Sequence, residues 1–162
     1  MTRPKRVLSQ RGIKPLCPYQ HNFDTTYLFG AFSAFNADSC MWLLPQCNSD
    51  TVPLFLNEFS QQKPQEYKVV ILDNGAFHHP RHLGIPATIH LVFLPAYSPE
   101  LNAAEKVWRW LKDQTAMKIY PTIESLIDHL QTIIQNTLTT DTIKSICGNL
   151  FYKTTFQSIF IV

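Results

Sequence analysis

The chain has 162 residues, enough for one domain with a sizeable core. A hydrophobic share of 45% excludes a disordered chain, and a net charge of only +2 means that bulk charge does not mark a polyanion binder. No apolar run approaches the roughly 18 residues of a membrane span, and the basic start MTRPKRVLSQ has no apolar stretch behind it to make a secretory signal. The four cysteines (Cys17, Cys40, Cys47, Cys147) form no C-x-x-C pair and read as free thiols of a reducing compartment.

Residues 1–24 lack periodicity, contain Pro4, Pro15 and Pro18, and read as a basic extended segment. Arg3, Lys5, Arg6, Arg11 and Lys14 all precede the first acid, Asp24; they suit either a solvated tail or an arm that contacts nucleic acid. Thr25–Phe32 is strand-like, Asn36-Ala37-Asp38 makes a turn, and Ser39–Leu44 is a second strand, together an antiparallel hairpin. Asp50 or Thr51 opens a helix with Pro53 in its first turn, and Lys63-Pro64 ends it.

Tyr67–Leu72 is a short, β-branched apolar run that suits a central strand buried on both faces. Ile89–Leu94 is another, and the stretch 73–88 is long enough for a parallel crossover with a short helix between Ala76 and Leu83. A helix is expected over Leu101–Thr115, with Leu101, Ala104, Trp108, Leu111 and Thr115 as its core stripe. Trp110 falls on the far side, partly exposed or covered by a partner, which raises the hypothesis of dimerisation through this helix. Ile123, Leu126, Ile127, Leu130, Ile133 and Ile134 keep the helical period of the next helix, and a short helix follows Asp141. The apolar tail 151–162 has no assigned place. A hairpin followed by alternating strands and helices argues for an α/β or α+β layered domain over residues 25–150.

Two acids stand out by context. Asp73 ends a strand, where ligands of open sheets gather, although an Asp before Asn-Gly is also an ordinary turn former. Glu105 lies early in a helix, where it could pair with Arg109 or complete a capping box with Asn102. One crossover joins them, so both carboxylates can reach one sheet edge. Hard divalent cations favour such oxygens, and a pair of ions about 3.5–4 Å apart serves phosphoryl transfer.

Asp73-Asn74-Gly75-Ala76-Phe77-His78 resembles the second-aspartate signature D-N-x-x-x-H of DDE transposases. The stretch from Leu94 to Trp108 (LPAYSPELNAAEKVW) resembles their third-acid signature, L-P-x-Y-S-P-x-L-N-P-x-E-x-x-W. The resemblance is to the mariner-like superfamily, in its bacterial insertion-sequence branch, and runs from about Tyr27 to about Asn136. It implies a ribonuclease-H-like fold, a mixed central sheet with flanking helices, and metal-dependent DNA cleavage and strand transfer. Asp73 and Glu105 match the family's second and third metal-binding acids, to hold Mg²⁺ or Mn²⁺, two ions in the complete enzyme. His78 matches the motif histidine, near the scissile phosphate. Arg109 and Lys112, with Arg3, Lys5 and Arg6, are the candidate DNA contacts. The implied partners are transposon ends and target DNA, with either a second copy or an upstream-encoded transposase portion; the implied setting is a bacterial cytoplasm at the nucleoid.

Three features depart from the family pattern. Ala103 and Ala96 stand where prolines are common, and the interval between Asp73 and Glu105 is slightly short. The family's first aspartate has no match: Asp24 precedes a strand instead of sitting in one, so the first strand is expected to lie before Met1. The resulting expectation is a truncated or split-frame transposase domain, inactive alone. A non-catalytic DNA-binding or regulatory remnant is the alternative. The histidines at 78, 79, 82 and 90 have no neighbouring cysteine, and a zinc site has less support than the family motif.

Overall fold

A computed structural model of the chain describes residues 5–20, 24–48, 50–73 and 84–148. The elements run β1 (Tyr27–Phe32), β2 (Ser39–Leu44), α1 (Thr51–Gln61), β3 (Lys68–Leu72), β4 (Ile89–Phe93), a 3₁₀ turn (Pro99–Leu101), α2 (Ala103–Gln114), α3 (Ile123–Asn136) and α4 (Thr140–Cys147). The expected helix between Ala76 and Leu83 and the tail 151–162 lie outside the described residues.

β1 and β2 pair antiparallel, with Phe29 opposite Trp42 and Ala31 opposite Cys40. Their turn is tight because Ser33 N–H donates to Asp38 O at 2.8 Å and Ala37 takes φ +60°. β3 and β4 pair parallel, Lys68 opposite Ile89 through Leu72 opposite Phe93. The sequence pointed to one mixed central sheet. Among the described residues there are instead two two-stranded sheets. β3 is correspondingly not buried on both faces: Val69 is 43% exposed, while Val70 on the opposite side packs into the core under α1.

What unites the two sheets is α1. Val52, Phe55, Leu56 and Phe59 follow the i, i+3, i+4, i+7 rule and lie on one helical stripe. That stripe packs with Phe29, Ala31, Cys40 and Trp42 of the hairpin and with Val70, Ile89 and Leu91 of the parallel pair. Phe55 is the centre, its ring 5.8 Å from Phe29, 6.1 Å from Trp42 and 6.2 Å from Phe59. Asn48, rather than Asp50, satisfies the start of α1: its Oδ1 accepts from the N–H groups of Asp50 and Thr51, both at 3.0 Å. At the far end Lys68 Nζ donates to the carbonyls of Lys63 (3.0 Å) and Ser60 (3.4 Å) and lies over the Phe59 ring.

The other face of the hairpin carries Leu28, Phe32 and Met41, and these pack against a second core built by α2, α3 and α4. Val107 and Cys147 are wholly buried there, with Ile143, Leu111, Ile133 and Leu138 around them. The inward stripe of α2 is therefore Ala103, Val107 and Leu111, with Trp108 on its flank, one position off the expected stripe centred on Trp108. Trp110 packs against the edge of this core and stays partly exposed, as the sequence suggested. Caps set the helix starts: Thr122 and Ser125 form a reciprocal capping box at α3, and Thr139 accepts from Thr142 N–H at α4.

Candidate active site

Asp73 directly follows Leu72, the last residue of β3, and is partly buried. The ladder continues one step past the strand, because Leu94 N–H donates to Leu72 O at 2.9 Å. The carboxyl ends of β3 and β4 thus stop side by side. From that edge one strand delivers Asp73, and the other delivers the chain that leads to Glu105.

That chain is short and shaped by its residues. Pro95 stops the strand, and Tyr97 takes a left-handed φ of +62° with its side chain fully exposed. Pro99 opens the 3₁₀ turn, and Asn102 then adopts an extended conformation (φ −93°, ψ 112°) and starts α2. Asn102 Oδ1 accepts from Ala104 N–H at 3.0 Å, while Glu105 N–H is taken by the Asn102 carbonyl at 3.2 Å. Asn102 therefore caps the helix as the sequence suggested, but through Ala104 and not by the reciprocal box with Glu105. Glu105 and Arg109 form no ion pair among the described residues. Glu105 is the third residue of α2, partly buried, in the first turn where a helix favours negative charge. Neither of its structural alternatives occupies it.

Asp73 and Glu105 offer hard oxygen donors of the kind Mg²⁺ takes while it keeps several waters. Among the described residues no group of three or more Asp, Glu, His or Cys side chains gathers to hold a metal ion. Asp24, the first acid of the chain, is exposed three residues before β1 and joins no such group. His78 and Arg3 lie outside the described residues. Arg109 and Lys112 are exposed on α2, and Lys5 and Arg6 are exposed in the N-terminal segment, all open to solvent as phosphate contacts need.

One cluster escaped sequence reasoning altogether. Tyr120, on the α2–α3 connection, sets its hydroxyl 2.6 Å from His129 Nδ1, and Lys118 Nζ lies 3.0 Å from His129 Nε2. Desolvation, then the Lys118 charge, holds the imidazole below the ordinary histidine range. Gln20 reaches the same place: its amide nitrogen donates to Tyr120 O and its Oε1 accepts from Tyr120 N–H at 2.9 Å. No spacing or motif links residues a hundred positions apart, so nothing in the sequence could have found the contact.

Comparison with known proteins gives three findings. Residues 1–127 match the family described as DDE superfamily endonuclease, a span that includes both acids and the basic start. The chain is 30% identical over 105 residues to the uncharacterized protein y4pE/y4sA of Sinorhizobium fredii (strain NBRC 101917 / NGR234), covering 64% of this chain and 78% of that protein. No solved structure matches. Among the described residues, no helix is long and apolar enough to cross a membrane.

Proposed function

The chain belongs to the DDE superfamily endonucleases, and from that premise we propose that it is the catalytic domain of a bacterial insertion-sequence transposase. The observation that carries the reading is the shared strand-end edge: Asp73 leaves β3 where Leu94 leaves β4 toward Glu105. Strand ends of open sheets are where α/β folds keep their ligands. The domain is taken as residues 25–150, ribonuclease-H-like, with 1–24 as a basic arm and 151–162 as an apolar tail.

In this reading Asp73 and Glu105 hold Mg²⁺ or Mn²⁺ through carboxylate oxygens. Such ions, when bound, activate a water or 3′-hydroxyl and stabilise the leaving oxygen in phosphoryl transfer. His78 orients the scissile phosphate. Arg109 and Lys112, with Arg3, Lys5 and Arg6, neutralise phosphates of transposon ends and target without reading bases.

Two carboxylates are fewer than the three-acid centre of the family. The hairpin and the parallel pair meet under α1 without pairing to each other among the described residues. In this reading the 162 residues alone do not cut DNA, because a third acid is not at hand among them.

The test is a nicking assay on supercoiled DNA with Mg²⁺, using the chain alone and the chain fused to the translated upstream sequence. The expected result is cleavage only by the fusion, lost in Asp73→Ala and in Glu105→Ala. Cleavage by the isolated chain that Asp73→Ala abolishes would overturn the inactivity. A fusion that binds DNA but never cuts would favour a non-catalytic regulatory remnant.

A further inference from the structure

Four non-glycine residues among those described take a left-handed φ: Ala37, Lys63, Tyr97 and Met117. That conformation is unfavourable for any residue with a side chain, so something must hold it. Three of the four side chains make contacts of their own. Ala37 is buried in the second core, Lys63 pairs with Asp38, and Met117 sets its Sδ 3.3 Å from Cys17 Sγ. Tyr97 is the exception. At φ +62° its side chain is 101% exposed, and no described residue covers it.

The turn is held by the neighbours of Tyr97 and not by its ring. Pro95 and Pro99 restrict the backbone on either side. Leu101 N–H donates to Ser98 O at 3.2 Å, and Asn102 N–H donates to Pro99 O at 3.0 Å. Glycine would suit the φ of position 97 without strain. A large, rigid aromatic ring stands there instead, open to solvent. Its place is the strand-end edge. Leu94 N–H is bonded to Leu72 O, next to Asp73 in the chain, and Tyr97 follows Leu94 by three residues, at most about 10 Å of backbone.

The charge of this stretch narrows the ligand. Between His90 and Lys106 the chain has no lysine or arginine, and Glu100 beside the turn is an exposed acid. Charge therefore draws no phosphate to Tyr97. The flat face of a nucleobase, by contrast, stacks on an aromatic ring whatever the sequence. Inside a duplex the faces of a base are covered by its neighbours, so the partner is a base outside the stack.

We propose that Tyr97 is a stacking platform for an unpaired nucleobase beside the strand-end edge, so that the chain favours DNA with a single-stranded portion over a closed duplex. This rests on the reading of that edge as a DNA-cutting centre. It adds a group that holds a base, whereas the cations assigned to DNA meet phosphates. The strained backbone then has a use, because it presents the ring clear of its own chain, where a base can lie against it.

Fluorescence anisotropy of the full chain with two DNA probes tests this: a blunt duplex, and the same duplex with a short 3′ overhang. The parent should bind the overhang probe more tightly, and 5-iodouracil placed in the overhang should cross-link to Tyr97. Tyr97→Gly should weaken overhang binding roughly tenfold, in the range of one stacked base, and leave blunt-duplex binding unchanged. Glycine accepts φ +62°, so this variant keeps the turn, and urea unfolding at the parent's midpoint checks that the fold is intact. Tyr97→Phe, which keeps the ring, should bind as the parent does. Equal overhang binding by Tyr97→Gly and the parent would overturn the proposal while leaving the DNA reading in place. So would an equal loss on both probes, or a Tyr97→Phe chain as weak as Tyr97→Gly. A parent that binds neither probe would instead remove the DNA reading itself, and this inference with it.

Discussion

A methyl group placed on Gly30 would sit 2.6 Å from Cη2 of Trp108, closer than carbon atoms approach. The Trp108 ring lies across the β1 backbone at this glycine and meets Phe32 edge-on, 5.4 Å between centroids. The glycine is required for space, and the docking of α2 on the hairpin depends on it. Gly30→Ala should cost about 1–3 kcal/mol, as overpacking in a filled core does. Urea unfolding should show this, with part of the loss restored when Trp108→Phe is added. Equal stability of Gly30→Ala and the parent would mean that Trp108 yields freely.

The four thiols differ in their reach. Cys17 is exposed, whereas Cys40 and Cys147 are buried and burial pushes both thiols up. A maleimide at neutral pH should therefore label Cys17 first. Cys40 and Cys147 should react only as the cores open, and mass spectrometry of timed samples resolves the order. Early labelling of Cys147 would contradict its packing against α2.

Acid should loosen α3 from its start. Glu124 has its carboxylate held below the ordinary range by its own backbone N–H and then by the Thr122 hydroxyl. A depressed carboxyl contributes above its ordinary value of 4.5 and is lost as pH falls through the lowered one. Hydrogen exchange of the first turn of α3 should accelerate, after correction for intrinsic rates, below pH 4.5 and not above it. Glu124→Gln should remove that dependence, and a dependence that survives would place its origin elsewhere.

The exposed cations make a salt prediction. If Lys5, Arg6, Arg109 and Lys112 meet phosphates, log affinity for duplex DNA should fall linearly with log salt. Each change to Ala should lower the slope by about 1 while leaving sequence preference alone. Fluorescence anisotropy at several salt concentrations measures it, and a flat response would remove DNA from the list of partners.

Much of this architecture was legible because it is local. Strand-like composition on either side of the Asn36-Ala37-Asp38 turn marked β1 and β2, the i, i+3, i+4 rule marked α3, and Pro95 and Asn102 marked where β4 stops and α2 begins. The positions of Asp73 and Glu105 followed from the same signals and from the motifs around them. What stayed hidden depends on residues distant in the chain. The α2 stripe turned by one position because Trp108 leans on Gly30 and Val107 faces α4, contacts no periodicity encodes. Val69 has the composition of a doubly buried strand, yet its exposure depends on which neighbours the sheet has. Gln20 and Tyr120 meet across a hundred residues and share no pattern at all.

The β1–β2 hairpin serves two cores, one on each side, and this gives its sequence a parity. Phe29 and Ala31 belong to α1, while Leu28, Gly30 and Phe32 belong to α2 and its companions. An ordinary surface hairpin that slips by one residue exposes its apolar face to water, and water rejects it. Here there is no watery side to object. A one-residue slip would offer α1 the bare backbone of Gly30 and drive a bulky neighbour against Trp108. The alignment of this hairpin is therefore enforced by the shapes of two partners at once, a lock with a key on either side.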